Sequence, residues 1–209
     1  LIRAAVRRGA GEITVGLGGS ASNDGGAGCA AGFGFKLLDG SGNPVPQGAE
    51  GLSRLQRIIP PPGIEAFKKI KMTGLTDVTN TLCGRLGSAR VFGPQKGASP
   101  AEVAIIEKAL LHYSSVVKRE LGIDIKALKG GAAAGGLGAG LAAFFGARLC
   151  PGAAAARERL GFEEAVIKAD LVITGEGRLD ETTFYGKAPI AAAKLARKHG
   201  KPVVLVCGS

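Results

Sequence analysis

The chain has 209 residues, enough for one large or two small domains with a sizeable core. Its 27 basic and 17 acidic side chains leave a formal charge of +10, which suits an anionic partner. The basic residues are nevertheless scattered, as in Arg7-Arg8, Lys68-Lys69, Lys118-Arg119 and Arg197-Lys198, and no Trp and two Tyr leave little to stack on bases, so nucleic acid is set aside in favour of a small phosphorylated ligand.

The glycines are the compositional anomaly: 35 residues, against a usual share of ~7%. They cluster between apolar runs without a G-X-Y period, so they mark loops of close backbone approach and not a fibrous or disordered chain. Residues 1–9 read as the end of a helix and 12–17 as a strand, followed by the first cluster, GLGGSASNDGGAG (16–28), and a small-residue run that continues as a helix. Strand, glycine loop, helix is an order whose free N–H groups favour an anion. Ser20, Ser22, Asn23 and Asp24 either cap that helix or reach a ligand.

Residues 33–39 are expected as a second strand closed by the Asp39–Asn43 turn cluster, and 44–63, with five prolines, as a connecting arm. The strand 70–75 delivers Thr76, Asp77, Thr79 and Asn80 to its C-terminal end, where α/β sheets keep ligand groups. Residues 91–97 form a glycine-proline loop carrying Lys96. Ser99-Pro100-Ala101-Glu102 then opens the clearest helix, with Val103, Ile106, Leu110, Tyr113, Val117 and Leu121 at helical spacing up to Gly122. His112 on that helix reads as a surface or satisfied histidine. The second cluster, 130–140, including Gly135 and Gly136, has no charged residue and offers either close helix packing or an anion cradle.

Residues 151–169 hold helices broken at Gly161. The strand 170–174 ends in a third glycine loop, 175–180, and the helix 188–199 and strand 203–206 complete a βαβ unit, which implies a parallel sheet. The fold class is therefore α/β, two-lobed, with parallel or mixed sheets, helices on both faces and one lobe Rossmann-like; the expected division is 1–160 and 161–209. Cys29, Cys83, Cys150 and Cys207 are too far apart for a zinc or redox pair and suit free thiols in a reducing cytoplasm. The longest apolar run, 137–145, is too short to span a bilayer. The chain opens inside a helical pattern and ends at a strand, as expected of a piece of a longer protein.

Pooled, the loops offer Asn23, Asp24, Asp77, Asn80, Lys96, Glu176, Arg178, Asp180 and Lys187. Such carboxylates can hold Mg2+ or act as a general base, and Lys and Arg can grip carboxylate or phosphate. Phosphoryl transfer needs little beyond positioning, charge neutralisation and a base. The P-loop, protein-kinase, dinucleotide and hydrolase-triad signatures are absent.

Five segments, GLGGSASNDGGAG (16–28), TDVTNTLCG (76–84), VFGPQKGAS (91–99), GAAAGGLGAG (131–140) and ITGEGRLDETTFYGKAP (173–189), resemble the bacterial glycerate kinases, in that family's order and spacing. The resemblance is expected to cover the central and C-terminal portion of this chain, which reads as a piece of a longer family sequence. It implies ATP- and Mg2+-dependent phosphorylation of D-glycerate, at the 2- or 3-position, in a protein with its site between two α/β lobes. Departures from the family pattern stand at Thr81, Arg85-Leu86 and Thr182.

From residue type and loop position, Asp24, Asp77, Asp180 and Lys96 are the expected catalytic residues. Ser20, Asn23, Asn80, Arg178, Glu176, Lys187, Gly18, Gly19, Gly135 and Gly136 are expected to bind substrate or phosphate, with Asp77 and Asp180 as metal ligands. The expected partners are glycerate and nucleotide, with neither nucleic acid nor membrane, in the cytoplasm. The alternatives are a kinase for another small hydroxy acid and a non-catalytic anion-binding α/β domain.

Overall fold

A computed structural model describes residues 1–67, 69–176 and 188–208. It divides the chain into two units, Leu1–Gly152 and Ala153–Ser209. The first begins with helix α1 (Ile2–Arg7) and strand β1 (Glu12–Gly16), and after the first glycine loop continues as α2 (Ala27–Phe33). Gly34, at φ +120, ends α2, so the second strand starts late: β2 is Lys36–Leu38, not 33–39. Phe33 is spent on the helix, and Asp39 already makes the turn, its Oδ1 accepting the N–H groups of Ser41 and Asn43 at 2.9 Å.

The expected connecting arm is a structured part of the core. It holds α3 (Ala49–Leu52) and β3 (Arg57–Ile59), which pairs antiparallel with β2, and Leu52 and Leu55 are fully buried. The prolines stand at its two ends, 44 and 46 against 60–62, so the middle keeps the N–H groups that a helix turn and a strand require. Helix α4 (Ile64–Phe67) leads to β4 (Lys71–Leu75), which pairs in parallel with β1.

The segment 91–97 is likewise no open loop. Helix α5 (Ser88–Phe92) runs into a 3-10 turn, Pro94–Lys96, started by Pro94 and closed by Gly97 at φ +94. Helix α6 (Pro100–Leu121) has the full capping box at Ser99 and Glu102 and a left-handed Gly122 as its stop. Its stripe packs as expected, with Leu110, Tyr113 and Val117 buried and Val103, Ile106 and Leu121 partly so. His112 is satisfied, its Nε2 2.7 Å from the Leu55 carbonyl oxygen.

Helix α7 (Ala133–Phe145) begins irregularly, with residues 134–136 in left-handed conformations, and leads to β5 (Arg148–Cys150), a strand too short to stand out from the apolar run before it. The sheet order is β1-β4-β5, all parallel. Phe33, Phe35, Phe67, Phe144 and Phe145 meet edge-on with centroids 4.6–6.0 Å apart; each such pair adds about 0.5–1.5 kcal/mol to simple burial.

In the second unit, α8 (Gly152–Arg159, beginning at the boundary residue) and α9 (Phe162–Lys168) are separated at Gly161, whose φ is +60. Strand β6 (Val172–Glu176), α10 (Ala188–Lys198) and β7 (Val203–Cys207) form the βαβ unit with its strands parallel, on a small core of Val166, Val172 and Ala196. The α/β class holds in both units. Among the described residues no helix is long and apolar enough to cross a membrane.

Candidate functional site

The carboxyl ends of β1 and β4 point the same way, so the loops that follow them emerge side by side. Onto the β1 loop comes Lys96 from the 3-10 turn. Its Nζ donates to the Ser22 carbonyl oxygen at 2.6 Å and to Ser20 Oγ at 3.1 Å, tying segments 74 and 76 residues apart in sequence. Gly135, from the second glycine cluster, closes the group by accepting the Gly25 N–H on its carbonyl at 3.0 Å.

Lys96 lies in the walls of two adjoining cavities. One of about 150 Å³ is lined by Gly18, Gly19, Ser20, Gln95 and Gly135. The other, about 450 Å³, is lined by Ser22, Asn23, Asp24, Gln47 and Ala98. Partial burial draws the Lys96 ammonium below the ordinary lysine range, and the Asp24 carboxylate opposes that pull. A half-buried cation among hydroxyls and glycine backbone is suited to an anionic ligand.

Asp24 has a definite structural duty. Oδ1 accepts the Gly26 N–H at 3.0 Å and Oδ2 the Gly28 N–H at 2.8 Å, so its carboxylate caps the start of α2. Of the two roles open in the sequence, capping is the one its contacts display; its charge also acts on Lys96. Asn23 accepts a 2.7 Å hydrogen bond from Ser88 Oγ on its Oδ1. Tyr113, wholly buried on α6, supports the same loop from beneath by donating to the Gly25 carbonyl at 3.1 Å.

The second glycine cluster serves close packing. A Cβ on Gly136 would stand 2.6 Å from the Gly25 Cα, and one on Gly140 2.6 Å from the Gly25 carbonyl oxygen. Gly135 both packs and lines the smaller cavity.

Asp77 and Asn80 line neither cavity. Asp77 is exposed at the end of β4, its carboxylate 3.3–3.4 Å from where a Gly152 Cβ would be. Asn80 fastens its own loop, Nδ2 donating to the Leu86 carbonyl at 2.8 Å. Glu176 ends β6 opposite Cys207, its side chain outside the described residues, as are Arg178, Asp180, Thr182 and Lys187. Among the described residues no three His, Cys, Asp or Glu side chains gather as a metal site, and the four cysteines are free thiols.

Three contributions have no mark in the sequence, although the Ser22 hydroxyl itself stands among the groups expected to cap the helix or reach a ligand. The Ser22 main-chain carbonyl carries no side-chain signal. Tyr113 was read for its apolar ring, and Ser88 belongs to no motif.

The glycerate kinase family model matches residues 1–209, the whole chain and more than the central and C-terminal portion expected. The chain is 44% identical to a glycerate kinase of Halalkalibacterium halodurans, over 98% of this chain and 54% of that protein. It is also 44% identical to a glycerate 2-kinase of Escherichia coli K12, over 100% of this chain and 55% of the relative. A crystal structure from Salmonella typhimurium LT2, described as a candidate glycerate kinase 2, superposes with a TM-score of 0.86 at 42% identity, over 99% of this chain and 55% of that one. The chain thus spans about half the length of the curated relatives it matches.

Proposed function

This chain belongs to the glycerate kinase family, and on that premise we propose that the protein it comes from is a glycerate kinase: a cytoplasmic phosphotransferase that moves the γ-phosphoryl group of ATP to the 2- or 3-hydroxyl of D-glycerate with Mg2+. The observation that carries the reading is the convergence of Lys96, Ser20 and the glycine loops on one anion-sized cavity.

In this reading two of the three Lys96 N–H donors hold the loop and the third meets a carboxylate or phosphate oxygen. Gly18, Gly19 and Gly135 let backbone approach the same anion, and Asn23 supplies a carboxamide. Arg178 and Lys187 are proposed as further cationic contacts and Glu176 and Asn80 as polar ones. Asp77, Asp180 or Asp24 takes the hydroxyl proton as base. Mg2+ asks for only one or two carboxylates, the phosphates and water completing its shell, and Asp77 and Asp180 are the residues proposed to hold it, where it would neutralise phosphate charge. The exposed Asp77 carboxylate fits such a partial ligand set.

The test is product analysis by phosphorus NMR on the complete protein with ATP, Mg2+ and D-glycerate. A phosphoglycerate is expected, and the resonance assigns the position. Phosphorylation of a different hydroxy acid in preference to glycerate would move the protein to a neighbouring substrate class. Ligand-induced stabilisation without turnover would make it a binding domain; at 100 times the dissociation constant that stabilisation is about 2.7 kcal/mol.

A further inference from the structure

Ser88 is fully buried at the first position of α5 and donates its hydroxyl to Asn23 Oδ1 at 2.7 Å, across 65 residues of sequence. The hydroxyl is held firmly. Ser88 N–H donates to the Leu82 carbonyl at 2.9 Å, and the 82–88 turn is in turn gripped by the buried Glu107, whose Oε1 accepts the Gly84 N–H at 2.7 Å. The Ala132 carbonyl, 3.4 Å from Ser88 Oγ, brings the second glycine cluster to the same point. At the other end of the Asn23 carboxamide, Nδ2 is buried and no acceptor among the described residues reaches it, although Asn23 lines the larger cavity beside Asp24 and Lys96. Buried polar groups are nearly always satisfied, so a carboxamide with one end fixed and the other unsatisfied calls for an acceptor from beyond the described residues.

We infer that Ser88 is a positioning residue: its hydroxyl fixes the Asn23 carboxamide by Oδ1, which commits the N–H2 end to an oxygen of the bound anionic ligand. An amide can turn end for end and a hydroxyl can both donate and accept; here the single Ser88 proton goes to Asn23 Oδ1 at 2.7 Å, the Ala132 carbonyl being the longer contact at 3.4 Å, and that donation favours the orientation with Oδ1 toward Ser88. The inference rests on the glycerate kinase reading for the identity of the ligand, and on geometry alone for the coupling of the two side chains.

The experiment uses the complete protein and a cycle of Ser88→Ala, Asn23→Ala and the double variant. Loss of orientation in Ser88→Ala is expected to lower kcat/KM for glycerate by about 10- to 100-fold. In the Asn23→Ala background the same change should cost no more than about 2-fold, because coupled positions are not additive. Equal losses in both backgrounds, or none in the wild-type background, would overturn the inference. Ser88→Cys keeps the volume with a weaker donor and serves if the alanine variant does not fold; an intermediate loss is expected, and wild-type kinetics would count against the inference. Independently of turnover, the Asn23 side-chain N–H2 resonances in selectively 15N-labelled protein should be one sharp pair in wild type and broadened or doubled in Ser88→Ala. An unchanged pair refutes the positioning role, whereas wild-type protein that does not phosphorylate glycerate while the resonances respond refutes only the substrate.

Discussion

Gly135 leaves no room for a side chain beneath Lys96. A Cβ at this position would stand 2.9 Å from Lys96 Nζ and 1.8 Å from the Ser22 carbonyl oxygen, on a backbone with φ +70. The glycine thus permits the one carbonyl that the ammonium holds most tightly. Gly135→Ala is expected to force the two loops apart, costing roughly 1–3 kcal/mol for the strained backbone alone and more for the clash. Gly146→Ala, at φ +65 with nothing within 4 Å, is the control, and it should cost only the backbone share of about 1–2 kcal/mol. Denaturant midpoints compare them; equal losses would remove the packing role from Gly135.

Lys96 and Asp24 should report on each other through pH. Burial lowers the Lys96 pKa and the Asp24 carboxylate raises it, burial being the larger effect. If the ammonium holds the ligand, activity is present below that pKa and falls as pH rises through it, earlier than for an exposed lysine. Asp24→Asn removes the opposing charge, so the alkaline limb of the kcat/KM profile should move to lower pH. Because the folded pKa lies below the unfolded one, the unfolded chain binds more protons between the two values, and this residue's contribution to stability rises with pH across that window. A limb that stays in place or moves upward would sever the link.

Beneath the first glycine loop the expected effects are on stability. Tyr113→Phe strips the buried Gly25 carbonyl of its donor, a loss of about 1 kcal/mol. Gly25→Ala, with φ +64 and a Cβ only 2.5 Å from Tyr113 Cε1, should lose more, roughly 2–4 kcal/mol from strain and overpacking together. Urea unfolding ranks the two; the reverse order would mean that the ring moves aside freely.

Cys83 offers a chemical probe of the turn that carries Ser88. Burial, with the neighbouring Glu107 carboxylate adding to it, pushes its thiol up to about 12. Only the thiolate reacts, so a disulfide reagent at pH 8 should modify native Cys83 very slowly, at a rate set by opening of the structure. Rapid stoichiometric labelling under native conditions would show that the 82–88 turn opens readily.

Much of this was legible in the sequence where one residue type does one job. The Ser99 to Glu102 cap, the Leu110-Tyr113-Val117 stripe, the Ile13–Val15 strand and the Val203–Val206 strand all follow from local pattern. The pairing of β2 with β3 was hidden because prolines at 44, 46 and 60–62 dominate the composition of that stretch while the residues that pair lie between them. Lys96 was visible as a lone cation among glycines. Its partner, the Ser22 carbonyl, was not, since main-chain acceptors look alike in every sequence. Asp24 illustrates the remaining ambiguity: Asx capping and catalysis ask for the same residue in the same kind of loop, and only its contacts with Gly26 and Gly28 display the first role.

The central claim, that a Lys96-centred cavity holds the anion during glycerate phosphorylation, is tested most directly by steady-state kinetics of the complete protein, wild type against Lys96→Met, with unfolding measured alongside. Phosphoglycerate is expected from the wild type, and a fall of about 100-fold or more in kcat/KM from the variant, as for loss of one preorganised charge contact, with the folded state retained. A folded Lys96→Met protein that turns over glycerate as the wild type does would contradict it.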